Sequence, residues 1–437
     1  MTDNLLILCV YTQHSSYELE AQRLASDAAQ HGYVVRQVPV PPQGDWRRNA
    51  AVKATVVQHV FREHHGPLLL LDADCRILGP LDEMLALARR VDVAAKYRPG
   101  YCFSALFNSG VVLLQKTPAS AVLVDDWADR ASQFGHLHRF ADQAMLAEAL
   151  VLGQGNLRFE PLPERLHAFP TANGAAPPGC VILHAKQPKS SRSVPAGESQ
   201  WPVPTGAAPL SARLVSYGPS SPPADGRPMS GVAGANRDFA EYAARYGAAH
   251  PLYMTVPGAE GDWASLERHR LAALGNLLAR VPNGTSVIVA DFDTILLRDP
   301  RVLLEPLAEA DLVLPWDAEH SEAVPTTSVL AMTAVASVTE RLLPLAEYRY
   351  QHLRRRIGTR ATPALALADA LRSGEAGVRW TTVPAHTVSE LRAARRQTVA
   401  VLTRGTLAFQ PGDRPCPSPS MPRPLATALP LTDATLI

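Results

Sequence analysis

Asp72 and Asp74 stand at the end of the apolar run Leu68-Leu69-Leu70-Leu71 and just before Cys75-Arg76-Ile77-Leu78. A continuous apolar run of that length reads as a buried strand of a parallel sheet. Residues two apart in extended backbone point the same way, so both acids face one side. A buried carboxylate is costly unless it is paired or bound to a metal. Two hard oxygen donors at a strand end suit Mn²⁺ or Mg²⁺ carrying a phosphate.

Other polar residues break apolar segments downstream. Phe107-Asn108-Ser109-Gly110 reads as a small polar turn ahead of the strand Val111-Val112-Leu113-Leu114. Asp142-Gln143 opens a helix that ends near Gly153, a position where an aspartate also suits the role of an N-cap. Cys180-Val181-Ile182-Leu183-His184 ends another buried strand in an imidazole, a competent Mn²⁺ ligand. Lys53, on the helix before the metal strand, faces either a ligand or solvent.

Taken together, the buried Asp-X-Asp, Phe-Asn-Ser-Gly, Asp-Gln and strand-end histidine resemble the GT-A glycosyltransferases. Enzymes of this kind include glycosyltransferase family eight and the nucleotide-diphospho-sugar transferases. The resemblance implies an α/β fold with a mixed, mainly parallel sheet, and a nucleotide-diphosphate sugar, a UDP-sugar first, as donor. It implies that His184 completes a metal shell begun by Asp72 and Asp74. Asn108, Asp142 and Gln143 would position the sugar. Tyr11, Thr12, Lys53, Asp72 and Ala73 would line the donor, with Lys189, ahead of Lys186, neutralising the diphosphate. The resembled families retain anomeric configuration, and no residue here stands out as a catalytic base.

These residues need a scaffold, and the chain writes one twice. Ser286-Val287-Ile288-Val289-Ala290-Asp291-Phe292-Asp293 repeats the plan of apolar strand and paired acids. Asp291 follows Asp72 by 219 residues, about half of the 437-residue chain. Asp92 with Asp311 and Ser109 with Ser328 keep the same offset. An amphipathic helix precedes each motif, over roughly 46–65 and 263–280. Tandem GT-A domains over 1–205 and 206–437 follow, the second opening on a strand at 212–217. Pro219 to Gly234 then reads as a long loop, and the Pro-rich stretch after Gln410 as lacking regular structure. At the same offset Asn108 meets Thr327, Asp142 meets Ala361, Gln143 meets Thr362 and His184 meets Thr403. The second copy therefore reads as degenerate, serving acceptor binding or scaffolding.

Composition fits two ordinary globular domains, with 46% hydrophobic and 19% charged residues. A net charge of +1 points to no general polyanionic partner. The N-terminal apolar run is too short to span a bilayer and lacks signal-peptide features. Five scattered cysteines give neither metal spacing nor a disulfide framework, so the expected location is the cytoplasm. Three other classes stay open. The basic-aromatic stretch 348–360 makes nucleic acid a second candidate acceptor, as in glycosylation of modified DNA bases. A nucleotidyltransferase making nucleotide sugars would show a Gly-rich loop after the first strand, yet 11–20 contains no glycine. A non-catalytic sugar- or nucleic-acid-binding protein would not need the intact first motif set.

Overall fold

The computed structural model describes residues 5–98, 101–153, 157–185, 210–219, 231–248, 252–256, 263–291, 294–316, 329–358, 361–383, 388–390 and 400–402. The N-terminal half opens with β1 (Leu6–Thr12), α1 (Ser16–Gln30), β2 (Val35–Val40), α2 (Trp46–Glu63), β3 (Leu68–Asp72) and β4 (Cys75–Ile77). It continues through α3 (Asp82–Ala88), β5 (Val93–Tyr97), β6 (Phe107–Leu114), α4 (Pro118–Phe134) and α5 (Ala141–Gly153). Short strands β7 (Phe159–Pro161), β8 (His167–Ala168) and β9 (Ile182–His184) complete it. Its main sheet has the order β2-β1-β3-β6-β5-β7, and β4-β9-β8 form a small sheet. β1 pairs in parallel with β2 and β3, whereas β6 runs antiparallel to both β3 and β5. The class is the mixed α/β one expected.

Beyond residue 209 come β10 (Arg213–Pro219), α6 (Gly231–Arg245), β11 (Leu252–Val256), α7 (Trp263–Leu278), β12 (Ser286–Asp291) and β13 (Thr294–Leu296). Then follow β14 (Leu312–Pro315), β15 (Val329–Thr333), α8 (Leu343–Ile357), α9 (Pro363–Ser373), β16 (Trp380–Val383), β17 (Val388–Glu390) and β18 (Ala400–Leu402). The second main sheet has the order β11-β10-β12-β15-β14-β16, with a small sheet β13-β18-β17. Strand for strand, this is the order of the first half.

Local chemistry explains the elements that matter for the site. The four leucines of β3 are fully buried, with helices covering both faces of the sheet, as a central strand demands. Asp45 caps α2, its Oδ1 accepting the Arg48 amide at 3.0 Å. α2 turns Ala54, Val57, Val60 and Phe61 onto the sheet, and Lys53 lies on the same buried side. α5 is buried all round, from Ala141 to Leu152, the signature of a helix covered on every face. Part of that cover comes from the second half. Phe239, Tyr242 and Ala243 of α6 join the cluster that holds Met145 and Leu150.

Two expectations are corrected in detail. Phe107 to Gly110 is not a turn before the strand but its first half, aligned with β5 across a bulge between Ala95 and Lys96. The segment expected as a loop up to Gly234 already contains the start of α6 at Gly231.

Candidate active site

Three chain segments converge beyond the C-terminal end of β3. The turn from β3 into β4 carries Asp72 and Asp74. β9 pairs antiparallel with β4, setting His184 opposite Cys75, and the Ala185 amide donates to the Asp74 carbonyl at 3.0 Å. His184 Nε2 lies 3.2 Å from Asp74 Oδ1 and 3.7 Å from Asp72 Oδ2. β6 provides the floor. With Leu71 opposite Val111, Gly110 comes level with Asp72. A Cβ on Gly110 would lie 2.7 Å from both Asp72 Oδ2 and His184 Nδ1, and closer still to His184 Cε1. Only glycine lets the imidazole and the carboxylate share that floor.

The imidazole is held in place. Its ring stacks on that of His167 at 5.7 Å and 26°, and Phe169 lies 5.3 Å away. Asp74 is 5% exposed, whereas the Asp72 side chain is 29% exposed, so the constellation opens to solvent on the Asp72 side.

Next to it lies a buried cation. Lys53 Nζ sits 2.8 Å from Asp72 Oδ1 and 2.6 Å from Asp142 Oδ2, with the Ser109 carbonyl at 3.3 Å. Burial opposes the lysine's charge, but the two carboxylates outweigh it and raise its pKa above the usual ammonium value. Burial raises the Asp142 carboxyl, and Asp72 adds to the rise, while Lys53 counteracts it. Gln143 and Asn108 are joined, Asn108 Nδ2 donating to Gln143 Oε1 at 3.2 Å. Asn108 Oδ1 accepts the Gly110 amide at 3.1 Å.

The donor set fits a hard divalent cation. Asp74, Cys75 and His184 present ligand atoms within 4.8 Å of one another. The Cys75 thiol is not a credible ligand. Burial, followed by the charges of Asp74 and Asp72, pushes it well above its ordinary pKa, and it donates to the Gly110 carbonyl at 3.6 Å. What remains is the Asp74 carboxylate and the His184 imidazole, with the Asp72 carboxylate 3.7 Å from that ring, oxygen and nitrogen donors suited to Mn²⁺ or Mg²⁺.

The sequence-derived set is therefore largely brought together: Lys53, Asp72, Asp74, Asp142 and His184 are linked by side-chain contacts, and the Asn108–Gln143 pair adjoins them through Gly110. Ala73 is buried between the two aspartates. Tyr11 and Thr12 end β1, where Val10 is level with Asp72, and so flank the same edge. Lys186 and Lys189 lie outside the described residues. Sequence reasoning passed over Ser104, whose carbonyl accepts Gln143 Nε2 at 3.1 Å, because a lone serine in a short turn carries no signal.

In the second half the matching aspartate is already neutralised. Arg270 of α7 places Nη2 2.9 Å from Asp291 Oδ1 and 3.0 Å from Oδ2, both residues at most 2% exposed. Thr362 caps α9, its hydroxyl accepting the Leu365 amide, and Ala361 precedes it. Asp293, Thr327, Ser328 and Thr403 lie outside the described residues.

No protein-family model matches the chain, and no curated protein matches it in sequence. Several solved structures resemble part of it, and those named here are all glycosyltransferases. One is a glycosyltransferase involved in glycosylation of the major capsid of PBCV-1. It is 12% identical with a TM-score of 0.34, covering 43% of this chain and 97% of that one. Mouse xyloside xylosyltransferase 1 is 11% identical with a TM-score of 0.30, covering 42% and 99%. The galactosyltransferase LgtC, solved with donor and acceptor sugar analogues, is 13% identical with a TM-score of 0.29, covering 42% and 87%.

Proposed function

We propose that the chain is a metal-dependent glycosyltransferase that uses a nucleotide-diphosphate sugar, with its chemistry in residues 1–205. The supporting observation is the convergence of Asp72, Asp74 and His184 over Gly110, beside the Lys53–Asp142 pair. Asp74 and His184 would hold Mn²⁺ or Mg²⁺, with Asp72 sharing the metal or the ribose. A cation bound there supplies Lewis-acid stabilisation of the departing nucleoside diphosphate. Asn108, Asp142 and Gln143 bind the sugar hydroxyls, and Lys53 pairs with Asp142 at 2.6 Å. Tyr11 and Thr12 would contact the base, and Lys189 would neutralise the diphosphate. Ligands in open α/β sheets lie beyond the strand C-termini, and Asp72 ends β3 just as Thr12 ends β1.

Residues 206–437 are proposed as a duplicated, non-catalytic copy. The repeated strand order supports the duplication, and the Arg270–Asp291 pair supports the loss of metal binding. The turn from β1 to α1 spans only Gln13 to Ser15 and has no glycine, which disfavours a nucleotidyltransferase. Arg354, Arg355 and Arg356 occupy the last turn of α8, where cations complement the helix dipole. They accordingly lend little weight to a nucleic-acid acceptor. No described helix is long and apolar enough to cross a membrane.

The test is hydrolysis of a panel of UDP- and GDP-sugars with Mn²⁺, with Mg²⁺ and with EDTA. Turnover of at least one donor that EDTA abolishes is expected, and the anomer released, read by NMR, reports the retaining course. A panel with no turnover and no metal-dependent nucleotide binding overturns the proposal.

A further inference from the structure

The sugar-facing elements of the first half are braced by a helix of the second. Asp238, Glu241 and Arg245 are spaced three and four apart on α6, so they share one face. All three are at most 3% exposed. Asp238 Oδ2 accepts the Ser104 amide at 3.0 Å, and its Oδ1 accepts the Ser104 hydroxyl at 2.6 Å. Ser104 in turn receives Gln143 Nε2 on its carbonyl at 3.1 Å, and Gln143 accepts from Asn108. Glu241 Oε2 accepts the Arg139 amide at 3.3 Å and lies 3.5 Å from His138 Nδ1. Those residues lead into Ala141, whose φ of +35° is the strained step that starts α5 and aims Asp142. Arg245 grips Glu148, further along the same helix, at 2.7 Å.

We infer that Asp238 is a positioning residue for the donor sugar, holding Gln143 and Asn108 in register through Ser104. This rests on the glycosyltransferase reading above. Strained or buried polar geometry persists only where neighbours over-determine it, and here the neighbours belong to the second half. The retired copy thus serves the active one directly, from behind the sugar subsite and not across the metal.

The consequence is selective. Loss of the Asp238 carboxylate should loosen contacts to the sugar and leave those to the diphosphate and metal intact. For the donor that the wild type hydrolyses, Asp238→Ala should raise KM about tenfold, the loss of one or two buried hydrogen bonds. The Kd of the matching nucleoside diphosphate with Mn²⁺ should stay within about twofold. Asp238→Asn keeps both contacts, because its carbonyl accepts the amide while its NH₂ donates to the Ser104 hydroxyl, so it should restore the wild-type KM. Amide exchange should speed up at 103–105 and 139–143 in Asp238→Ala while the rest of the first half keeps its protection. Should Asp238→Ala fail to fold, Ser104→Ala removes only the hydroxyl arm and should raise the donor KM about threefold. An unchanged donor KM in a folded variant, or equal losses for donor and nucleoside diphosphate, overturns the inference. If the wild type hydrolyses no nucleotide sugar, the enzymatic reading fails, and exchange decides the brace alone. Faster exchange confined to 103–105 and 139–143 upholds it, and unchanged protection there removes it.

Discussion

Asp74 and His184 are each nearly buried and 3.2 Å apart, a spacing that suits two ligands of one cation. Removing a residue that only orients a metal's ligand commonly costs 10- to 100-fold, so a lost ligand should cost more. Asp74→Asn and His184→Ala should therefore lower Mn²⁺-dependent donor turnover by more than about 100-fold while circular dichroism stays native. Near-normal activity in either variant would remove the metal assignment. Gly110→Ala makes a separate point. Its methyl group would meet both His184 and Asp72, and overpacking of this sort costs about 1–3 kcal/mol. A lowered melting temperature together with weakened Mn²⁺ binding is expected, and unaltered metal affinity by calorimetry would show that the floor gives way freely. These residues were legible in the sequence because each breaks an apolar run at a strand or helix end. The Lys53–Asp142 pair was not, since a lysine on an amphipathic helix reads equally well as solvated until the sheet places Asp72 beneath it.

Among elements, the two halves share a strand order yet treat their leading aspartate in opposite ways. In the first half Asp72 faces a lysine on one oxygen and the imidazole on the other. In the second, one guanidinium nitrogen of Arg270 spans both oxygens of Asp291. A buried pair broken on one side leaves an uncompensated charge, at a cost of roughly 3–5 kcal/mol. Asp291→Asn should thus destabilise the protein by about that much in urea unfolding while donor hydrolysis stays within about twofold. If hydrolysis collapses as it does in Asp74→Asn, the second half is catalytic. The repeated apolar strands and paired acids made both sheets visible from the sequence. The Arg270–Asp291 pair was not visible, because no offset or motif aligns an arginine of α7 with an aspartate of β12. The early start of α6 was hidden too, by a Pro-, Ser- and Gly-rich approach that reads as loop throughout.

For the whole molecule, the seam between the halves is built from buried charges, and pH should act on it from both sides. Burial works to raise Glu148, but Arg245 and Arg130 overcome it and hold the carboxyl down to about 2, against an ordinary 4.5. A depressed acid gives stability that is complete above its unfolded pKa and lost as pH falls through the folded one. Asp238 behaves in the opposite sense. Burial, with Glu241 adding to it, raises its carboxyl from 3.8 to about 7. The folded chain then retains a proton that the unfolded chain releases, so this contribution weakens as pH rises from 3.8 through about 7. The seam should accordingly be strongest near pH 4, where the gain from Glu148 is nearly complete and the loss at Asp238 has only begun. Urea unfolding across pH 3 to 8 measures this directly. Asp238→Asn should flatten the decline between about pH 4 and 7. Glu148→Gln should flatten the decline below pH 4.5, at lower stability overall, since it leaves Arg245 and Arg130 facing a neutral amide. A profile in which neither substitution changes its own limb would mean that these buried groups do not govern how the halves hold together.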